Sequence, residues 1–292
     1  MNNRITRRQA LASLATIAAG ALVRPGSIIA SEPVKNGIRF GVIGDWGTGC
    51  HNEQGIATQM LGAHRSNPLD LVISAGDNIY PNGSLSHFKK NFEQPFAGLL
   101  VDRVRFYAVL GNHDVEDGRH DQCEYPLFNM GGNSYYTLKK GDGLLEFFML
   151  DSNSFDATQA TWLENSLRAS QAKWKIAVFH HPIYSSGKSH GSSLSLRRKL
   201  EPLFTRYGVS IAFSGHDHIY ERTRPQNGIH YFVSGAAGKT RRGDVDLKSP
   251  IRQASFDQDN HFMLIDVDDR QVSFQAVSET GAIVDSGTIK QI

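Results

Sequence analysis

The chain has 292 residues, of which 40% are hydrophobic and 10% aromatic, so it can bury a large core and is not a disordered chain. Its 28 glycines follow no fixed period, which excludes collagen, and no run of 18 apolar residues predicts a membrane-spanning helix. The net charge of +2 comes from four arginines within residues 1–30, because the remainder carries 27 basic and 29 acidic residues. The remainder also has no basic stripe that would predict a nucleic-acid surface.

The first 30 residues have the pattern of an export signal. Arg7 and Arg8 precede 15 uncharged residues, 9–23, and a charged start before a short apolar run is typical of secretory leaders. The paired arginines resemble a twin-arginine signal, which predicts export machinery as a partner, cleavage near Ala30 and a periplasmic or secreted protein. The alternative is a basic amphipathic helix or anchor. Residues 31–292 are expected to form one domain.

After this leader, short apolar runs alternate with stretches of helical spacing, which predicts an α/β fold. The expected strands are 38–43, 69–74, 106–110, 144–150, 175–179 and 209–213, and the expected helices are 53–65, 88–100 and 158–170. Asp156 or Thr158 is the expected N-cap of the last helix. The segments 229–233, 261–267, 272–277 and 283–289 predict a β-meander that closes a second sheet. The basic stretch 238–260 is expected to be a solvated loop, with a guard over the site entrance as the alternative.

Polar residues that can bind a metal follow five of the predicted strands. They are Asp45, Asp77, Asn112, His180 and the pair His216 and His218. Each one alone is weak evidence, because Gly-Asp after a strand is usually a turn and Asn112 with Asp114 can cap a helix. Their joint occurrence at strand ends, where the sites of α/β proteins assemble, predicts a metal centre.

These motifs resemble those of the calcineurin-like metallophosphoesterases. They are Gly44-Asp45-Trp46-Gly47, Gly76-Asp77-Asn78, Gly111-Asn112-His113-Asp114, His180-His181 and Gly215-His216-Asp217-His218. Tyr80, three residues after Asp77, is similar to the tyrosine ligand of purple acid phosphatases, although a packed aromatic side chain is the alternative explanation. The small tartrate-resistant form is the most similar branch. The resemblance implies a two-sheet β-sandwich flanked by helices, in four layers α/β/β/α.

The resemblance also implies a binuclear metal centre with an acidic site and a more neutral site. The acidic site would hold Fe(III) through Asp45, Asp77, Tyr80 and His218, because carboxylates and a phenolate suit a hard trivalent ion. The second site would hold a divalent ion, Fe, Zn or Mn, through Asp77, Asn112, His180 and His216. Asp77 would bridge the two ions. Family comparison favours His180 over His181, since the ligand lies two residues before the proline, Pro182.

Asn112, His113 and His190 are the implied substrate-binding residues, and His113 and His190 are also the catalytic candidates. Either histidine would bind phosphate oxygens or protonate the leaving alkoxide, although a solvated loop position is the alternative for His190. The expected reaction is in-line attack on a phosphate monoester by a metal-bound hydroxide. Asp217 is expected to be structural, and Asp151 is expected to orient a ligand.

The leading functional hypothesis is an exported acid phosphatase for small phosphate monoesters. A phosphodiesterase or nucleotide hydrolase with the same fold is the first alternative, and a non-catalytic metal- or phosphate-binding protein is the second. Cys50 and Cys123 either form a disulfide near the site or remain two separate thiols.

Overall fold

The computed structural model describes residues 37–291, and the predicted leader over 1–30 lies outside them. The strands of this part of the chain are β1 (Ile38–Ile43), β2 (Leu71–Ser74), β3 (Arg105–Ala108), β4 (Tyr136–Lys140), β5 (Leu145–Met149), β6 (Trp174–Val178), β7 (Ile211–Ser214), β8 (Tyr220–Thr223), β9 (His230–Ser234), β10 (Arg252–Phe256), β11 (His261–Val267), β12 (Gln271–Ser278) and β13 (Ile283–Lys290). The α-helices are α1 (His51–Ser66), α2 (Ala97–Val101), α3 (Asp114–Asp117), α4 (Arg119–Glu124), α5 (Ala157–Ala169) and α6 (Leu194–Tyr207).

The strands form two mixed sheets. The first has the order β13-β12-β11-β1-β2-β3, and its parallel strands β1, β2 and β3 are extended by the antiparallel strands β11 to β13. The second has the order β10-β8-β9-β7-β6-β5-β4, with β5, β6, β7 and β9 parallel. Parallel strands need crossover connections, which bring the chain back to the end of the sheet where the previous strand began. The parallel strands of each sheet therefore all end at the same edge.

Alternating side chains of the strands build separate cores on the two faces of each sheet. Phe40 and Val42 of β1 point between the sheets and pack with residues such as Phe147 and Phe213. Other side chains of the first sheet pack against α1 and the segment around Phe92, and those of the second sheet pack against α5 and α6. This arrangement confirms the predicted four-layer α/β/β/α sandwich.

The predicted meander was wrong about which sheet the C-terminal strands join. Of the four strands predicted for the meander, the first, β9, joins the second sheet beside β7, whereas the other three, β11, β12 and β13, complete the first sheet beside β1. The run of short alternating strands was visible in the sequence, but strand partners depend on contacts distant in the chain. His261–Val267 pairs with Ile38–Ile43 across more than 200 residues.

Several elements also differ from the predictions. The predicted helix 88–100 is divided into a π-helical turn at Lys89–Glu93 and the short helix α2, because Pro95 cannot continue a helix from the residues before it. The strands β4, β8 and β10 and the helix α6 were not predicted, and β10 lies within the expected loop 238–260. Asp156, one of the two residues predicted as the N-cap of α5, has that position. Its side chain accepts a hydrogen bond from the Gln159 backbone amide at 2.8 Å.

The two cysteines do not form a disulfide. Cys50 is half-buried with its sulfur 3.5 Å from the carbonyl oxygen of Gly238, and Cys123 is buried in the core. None of the helices within residues 37–291 has the length and apolar character needed to cross a bilayer.

Candidate metal centre

Five strands end at one edge of the sandwich, and each is followed by a candidate ligand. β1, β2 and β3 are parallel neighbours in one sheet, and β6 and β7 are parallel neighbours in the other. Parallel strands present their carboxyl ends at the same edge, so residues far apart in sequence can meet there. The residues that follow these strands are Asp45, Asp77, Asn112, His180 and His216.

Three of these residues have a left-handed backbone, with φ of 55° at Asp45, 50° at Asp77 and 70° at His216. Such values are uncommon outside glycine and concentrate at functional sites. Two glycines allow the carboxylates to lie directly against neighbouring backbone. A Cβ at Gly111 would overlap Oδ1 of Asp77, and a Cβ at Gly215 would overlap Oδ2 of Asp45. The glycines of the sequence motifs therefore make room for the acidic groups.

Two of these residues join two further candidate ligands in a group that we call the tyrosine cluster, which consists of Asp45, Asp77, Tyr80 and His218. The Tyr80 hydroxyl donates to Oδ2 of Asp77 at 2.8 Å and lies 3.3 Å from Oδ1 of Asp45. Nε2 of His218 is 3.3 Å from the Tyr80 hydroxyl and 3.3 Å from Oδ1 of Asp45. The structure thus brings together all four residues predicted for the acidic site.

Asp77 also belongs to a histidine cluster with Asn112, His180 and His216. Nε2 of His180 is 3.1 Å from Oδ1 of Asn112 and 3.5 Å from Oδ1 of Asp77. Nδ1 of His180 is 2.9 Å from the Ala75 carbonyl, which can only accept, so Nδ1 is the donor of this hydrogen bond and Nε2 is the nitrogen that faces Asn112 and Asp77. The His216 ring centroid lies 5.1 Å from that of His180.

The donor set fits a metal centre. Asp45, Asp77 and His180 each offer a ligand atom within 4.8 Å of the other two, and all three residues are buried. Two carboxylates, a phenol and an imidazole nitrogen brought this close, away from water, are favourable when a cation lies among them. Asp77 has one oxygen on each cluster, which is the arrangement required of a bridging carboxylate.

The electrostatics of the acidic groups reflect this crowding. Burial, aided by the charge of Asp77, raises the pKa of Asp45 well above its usual value, against the lowering effect of His180. Burial also acts to raise the pKa of Asp77, but the charge of His180 and the hydrogen bond from Tyr80 lower it on balance. Burial and the two carboxylates raise the pKa of the Tyr80 phenol. A phenolate at this position therefore needs a cation beside it.

Two histidines of the site, His216 and His218, have pKa values that favour the neutral form. Burial and the neighbouring His180 lower the pKa of His216 far below its usual value. Burial and the cations Arg241 and Lys239 lower the pKa of His218 to about 4. Neutral imidazoles are the form that binds metals.

Asp114 connects two of the loops that carry candidate ligands. Its buried carboxylate accepts hydrogen bonds from the amides of Asn78, Ile79 and Gly111 at 2.8–3.0 Å and from the Gln122 side chain at 2.7 Å. Burial and the charge of Asp77 raise its pKa to about 7, against the effect of these hydrogen bonds. A helix cap was the local role predicted for this position, whereas the carboxylate organises the loops after β2 and β3.

The two predicted substrate histidines lie on different clusters. The His113 ring packs on the Tyr80 ring at 4.7 Å, and its Nδ1 lies 2.6 Å from the carbonyl oxygen of Pro81. That carbonyl can only accept, so Nδ1 is the donor and Nε2 is left available. His190 is exposed, and its ring lies 4.2 Å from that of His216.

Asp217 anchors the loop that carries His190. Its buried carboxylate accepts hydrogen bonds from the Ser185 hydroxyl at 2.5 Å and the Gly191 amide at 3.1 Å. Asp217 lies between His216 and His218 in the chain, so its structural role is to connect the segment of these two histidines to the His190 loop. The loop holding His190 is thereby attached to the strand end that carries both histidines.

The expectation for Asp151 was wrong. Its carboxylate pairs with Arg119 at 2.5 Å and accepts from the Asn153 amide at 3.0 Å, so it fixes the β5–α5 loop and orients no candidate ligand. Ser152, which no sequence motif marks, supports the ligand loop instead. Its hydroxyl oxygen accepts from the backbone amides of His180 and His181 at 3.2 and 3.0 Å.

Comparisons with known proteins agree with this geometry. Residues 38–220 match the family model described as calcineurin-like phosphoesterase. Purple acid phosphatase 17 of Arabidopsis thaliana is 32% identical over 249 residues, covering 74% of this chain and 73% of the relative. Tartrate-resistant acid phosphatase type 5 of Oryctolagus cuniculus is 30% identical over 243 residues, covering 68% and 72%.

Two solved structures share the fold at lower sequence identity. GAP50, described as the anchor in the inner membrane complex of Plasmodium, has a TM-score of 0.78 at 21% identity and covers 88% of this chain and 90% of its own. The purple acid phosphatase PPD1 from seeds of yellow lupin has a TM-score of 0.74 at 18% identity, covering 89% and 55%. From the family model and the sequence relatives, the chain belongs to the calcineurin-like phosphoesterases and, among them, to the purple acid phosphatases, which are metal-dependent phosphoester hydrolases with a binuclear metal centre.

Proposed function

We propose that this protein is an exported acid phosphatase that hydrolyses small phosphate monoesters at a centre of Fe(III) and a divalent ion. The observation that carries the proposal is the position of the Tyr80 hydroxyl, 2.8 Å from Asp77 and 3.3 Å from both Asp45 and His218. If Tyr80 only packed in the core, its hydroxyl would not be expected to lie against two buried carboxylates.

The tyrosine cluster would hold the ferric ion, because two carboxylates and a phenolate form a hard, anionic donor set. The histidine cluster would hold the divalent ion through Asn112, His180 and His216, with Asp77 shared by both. Bound at these positions, the two ions would neutralise the phosphate charge and make water nucleophilic at low pH.

The residues of the chain then bind the ester and supply its proton. His113 would contact a phosphate oxygen from the side of the tyrosine cluster, and His190 from the side of the histidine cluster. Nδ1 of His113 is held by the Pro81 carbonyl, so Nε2 is the atom that holds or gives up a proton. Protonation of the leaving oxygen by one of these histidines would complete the transfer of the phosphoryl group to water.

Hydrolysis assays on the purified, metal-loaded protein test this proposal. We expect turnover of an aryl monophosphate at acidic pH and little turnover of the corresponding diester. Asp77→Asn should lower kcat by at least about a hundredfold, since it removes the shared carboxylate, and should also lower the bound metal. Asp156→Asn is the matched control, because asparagine is an equally good N-cap for α5.

Other outcomes decide between the alternatives. A strong preference for the diester would favour a phosphodiesterase or nucleotide hydrolase, and metal binding without turnover of either ester would favour a binding protein. The fold alone does not separate these outcomes, because GAP50 shares it and is described as an anchor.

Export is a separate part of the proposal and depends on residues 1–30. Arg7→Lys combined with Arg8→Lys should keep the protein in the cytoplasm of a bacterial host with a twin-arginine pathway, as measured by cell fractionation. Arg4→Lys combined with Arg24→Lys makes the same chemical change outside the pair and should leave export intact. Export of the Arg7 and Arg8 variant would contradict the twin-arginine assignment.

A further inference from the structure

We propose that Lys239 and Arg241 form a subsite for a second anionic group of the substrate, beside the position of the reacting phosphate. The inference rests on the proposed phosphatase function and adds a substrate class to it. The preferred esters would carry a second phosphate or a carboxylate within a few bonds of the phosphate that is hydrolysed.

The segment 238–241 is fixed to the backbone of two candidate ligands. The Gly238 amide donates to the Asp45 carbonyl at 3.0 Å, and the Arg241 amide donates to the His218 carbonyl at 2.9 Å. A Cβ at Gly238 would overlap the Trp46 carbonyl, so the segment also depends on glycine for its close approach. Lys239 and Arg241 are therefore held along the tyrosine cluster by hydrogen bonds at both ends of the segment.

The Lys239 side chain and the predicted substrate-binding residue His113 both contact the Tyr80 ring. Its Nζ lies 3.8 Å from the centroid of the Tyr80 ring, and the His113 ring lies 4.7 Å from the same centroid. An ester bound through His113 is therefore within reach of the Lys239 ammonium group. Lys239 is exposed, so this group is accessible to a ligand.

Arg241 contributes a second positive charge with spare hydrogen-bonding capacity. Its Nη1 is buried and has no hydrogen-bond partner in the part of the chain that the structure describes. Its backbone is bonded to that of His218, so the Arg241 side chain starts beside the tyrosine cluster. The Arg241 side chain as a whole is half-buried and makes no hydrogen bond or ion pair within residues 37–291, so its guanidinium is available to a ligand oxygen.

Neither cation is neutralised by an ion pair within residues 37–291. Arg222 shows the contrast, because Asp285 accepts two hydrogen bonds from its guanidinium at 2.7 and 3.0 Å. Two positive charges without carboxylate partners, placed beside a phosphate site, attract an anion beyond the phosphate itself. Phosphate and carboxylate groups both have the geometry to bind a guanidinium.

The test measures binding of non-hydrolysable phosphonates to the metal-loaded protein by calorimetry. The probes are methylphosphonate, methylenediphosphonate and phosphonoacetate, which carry one phosphonate, two phosphonates, and a phosphonate with a carboxylate. We expect methylenediphosphonate to bind at least about tenfold more tightly than methylphosphonate, the gain of one charge-assisted hydrogen bond. Tight binding of phosphonoacetate would extend the class to carboxylates, and weak binding would restrict it to phosphates.

The double variant K239Q/R241Q should reduce the ratio of the two affinities to within about threefold. The control R242Q/K248Q removes the same charge from two exposed positions of the same loop and should keep the wild-type ratio. The proposal is overturned if the wild-type protein shows no preference, if K239Q/R241Q keeps the preference, or if the control loses it equally. Metal content is measured after each titration, because diphosphonates can extract metals.

The two proposals fail in different ways. Absence of aryl monophosphate hydrolysis would contradict the proposed function whatever the phosphonate ratio is. Hydrolysis of the monophosphate without a preference for the second anionic group would contradict only the subsite. Raising the ionic strength should weaken methylenediphosphonate binding more in the wild type than in K239Q/R241Q.

Discussion

The hydroxyl of Tyr80 donates to Oδ2 of Asp77 over 2.8 Å, across a turn of three residues in which Asp77 has a left-handed backbone. The other oxygen of Asp77 accepts from the His113 amide at 3.0 Å and faces His180 at 3.5 Å. The Asp77 carboxylate thus connects the tyrosine cluster, the histidine cluster and the loop that carries His113.

Tyr80→Phe should remove the visible absorption of the oxidised, metal-loaded protein. The expected band arises from charge transfer between a phenolate and ferric iron, and phenylalanine cannot form a phenolate. The measurement is a visible spectrum recorded with metal analysis of the same sample. Tyr136→Phe is the control, since it removes the hydroxyl of a half-buried tyrosine, bonded to the Ala108 carbonyl at 2.9 Å. A coloured Tyr80→Phe protein with full iron content would show that Tyr80 does not bind iron.

His113→Ala and His190→Ala should each lower kcat for an aryl monophosphate by about a hundredfold, the usual contribution of a general acid. Both rings lie against candidate ligands, so their removal takes away contacts with the phosphate or a proton donor. Steady-state kinetics measure the effect, and the exposed His120 provides the control variant His120→Ala. If His190→Ala has wild-type kinetics, His190 is a solvated loop residue.

Asp114→Asn should destabilise the protein by about 3 kcal/mol or more, because an amide NH₂ would then face backbone and side-chain donors. Asp114 accepts from Asn78, Ile79, Gly111 and Gln122 in a buried position. Urea unfolding gives the free energy of unfolding. Asp269→Asn, at a position 72% exposed, should change it by less than about 0.5 kcal/mol. Equal stabilities for the two variants would contradict the role of Asp114 in joining the loops.

The stability of the protein should fall with acid partly through His261. Burial lowers the pKa of His261 to about 3, from 6.5 in the unfolded chain, so the folded state disfavours protonation. This contribution to stability is complete above pH 6.5 and is lost as the pH falls from 6.5 towards 3. By linkage, about 2 kcal/mol is lost at pH 5.

His261→Phe tests this prediction, because phenylalanine keeps the ring and cannot be protonated. The difference in unfolding free energy between pH 7 and pH 5 should be about 2 kcal/mol smaller in the variant than in the wild type. His120→Gln, which removes an exposed histidine, should leave the difference unchanged. An equally large difference in His261→Phe would assign the acid sensitivity to other groups.

Local patterns predicted five of the six strands from β1 to β6. The apolar runs before Asp45, Asp77 and Asn112 became β1, β2 and β3, because a buried strand and the sharp turn after it are encoded by adjacent residues. The predicted helix 88–100 was wrong because Pro95 interrupts a helix, and this effect outweighs the helical spacing of the residues around it. Short edge strands such as β10 have little apolar pattern and depend on their neighbour, here β8.

The order of motifs in the chain was sufficient to identify the metal-ligand candidates and the family, since each motif combines a strand, a turn and a donor side chain within a few residues. Partnerships across long distances required the folded chain. The binding of β11 to β1, the anchoring of the His190 loop by Asp217 and the joining of two loops by Asp114 each link side chains or backbones whose proximity no local pattern specifies. Lys239 shows the same limit, because its contact with the Tyr80 ring exists only after the 238–241 segment binds the ends of β1 and β7.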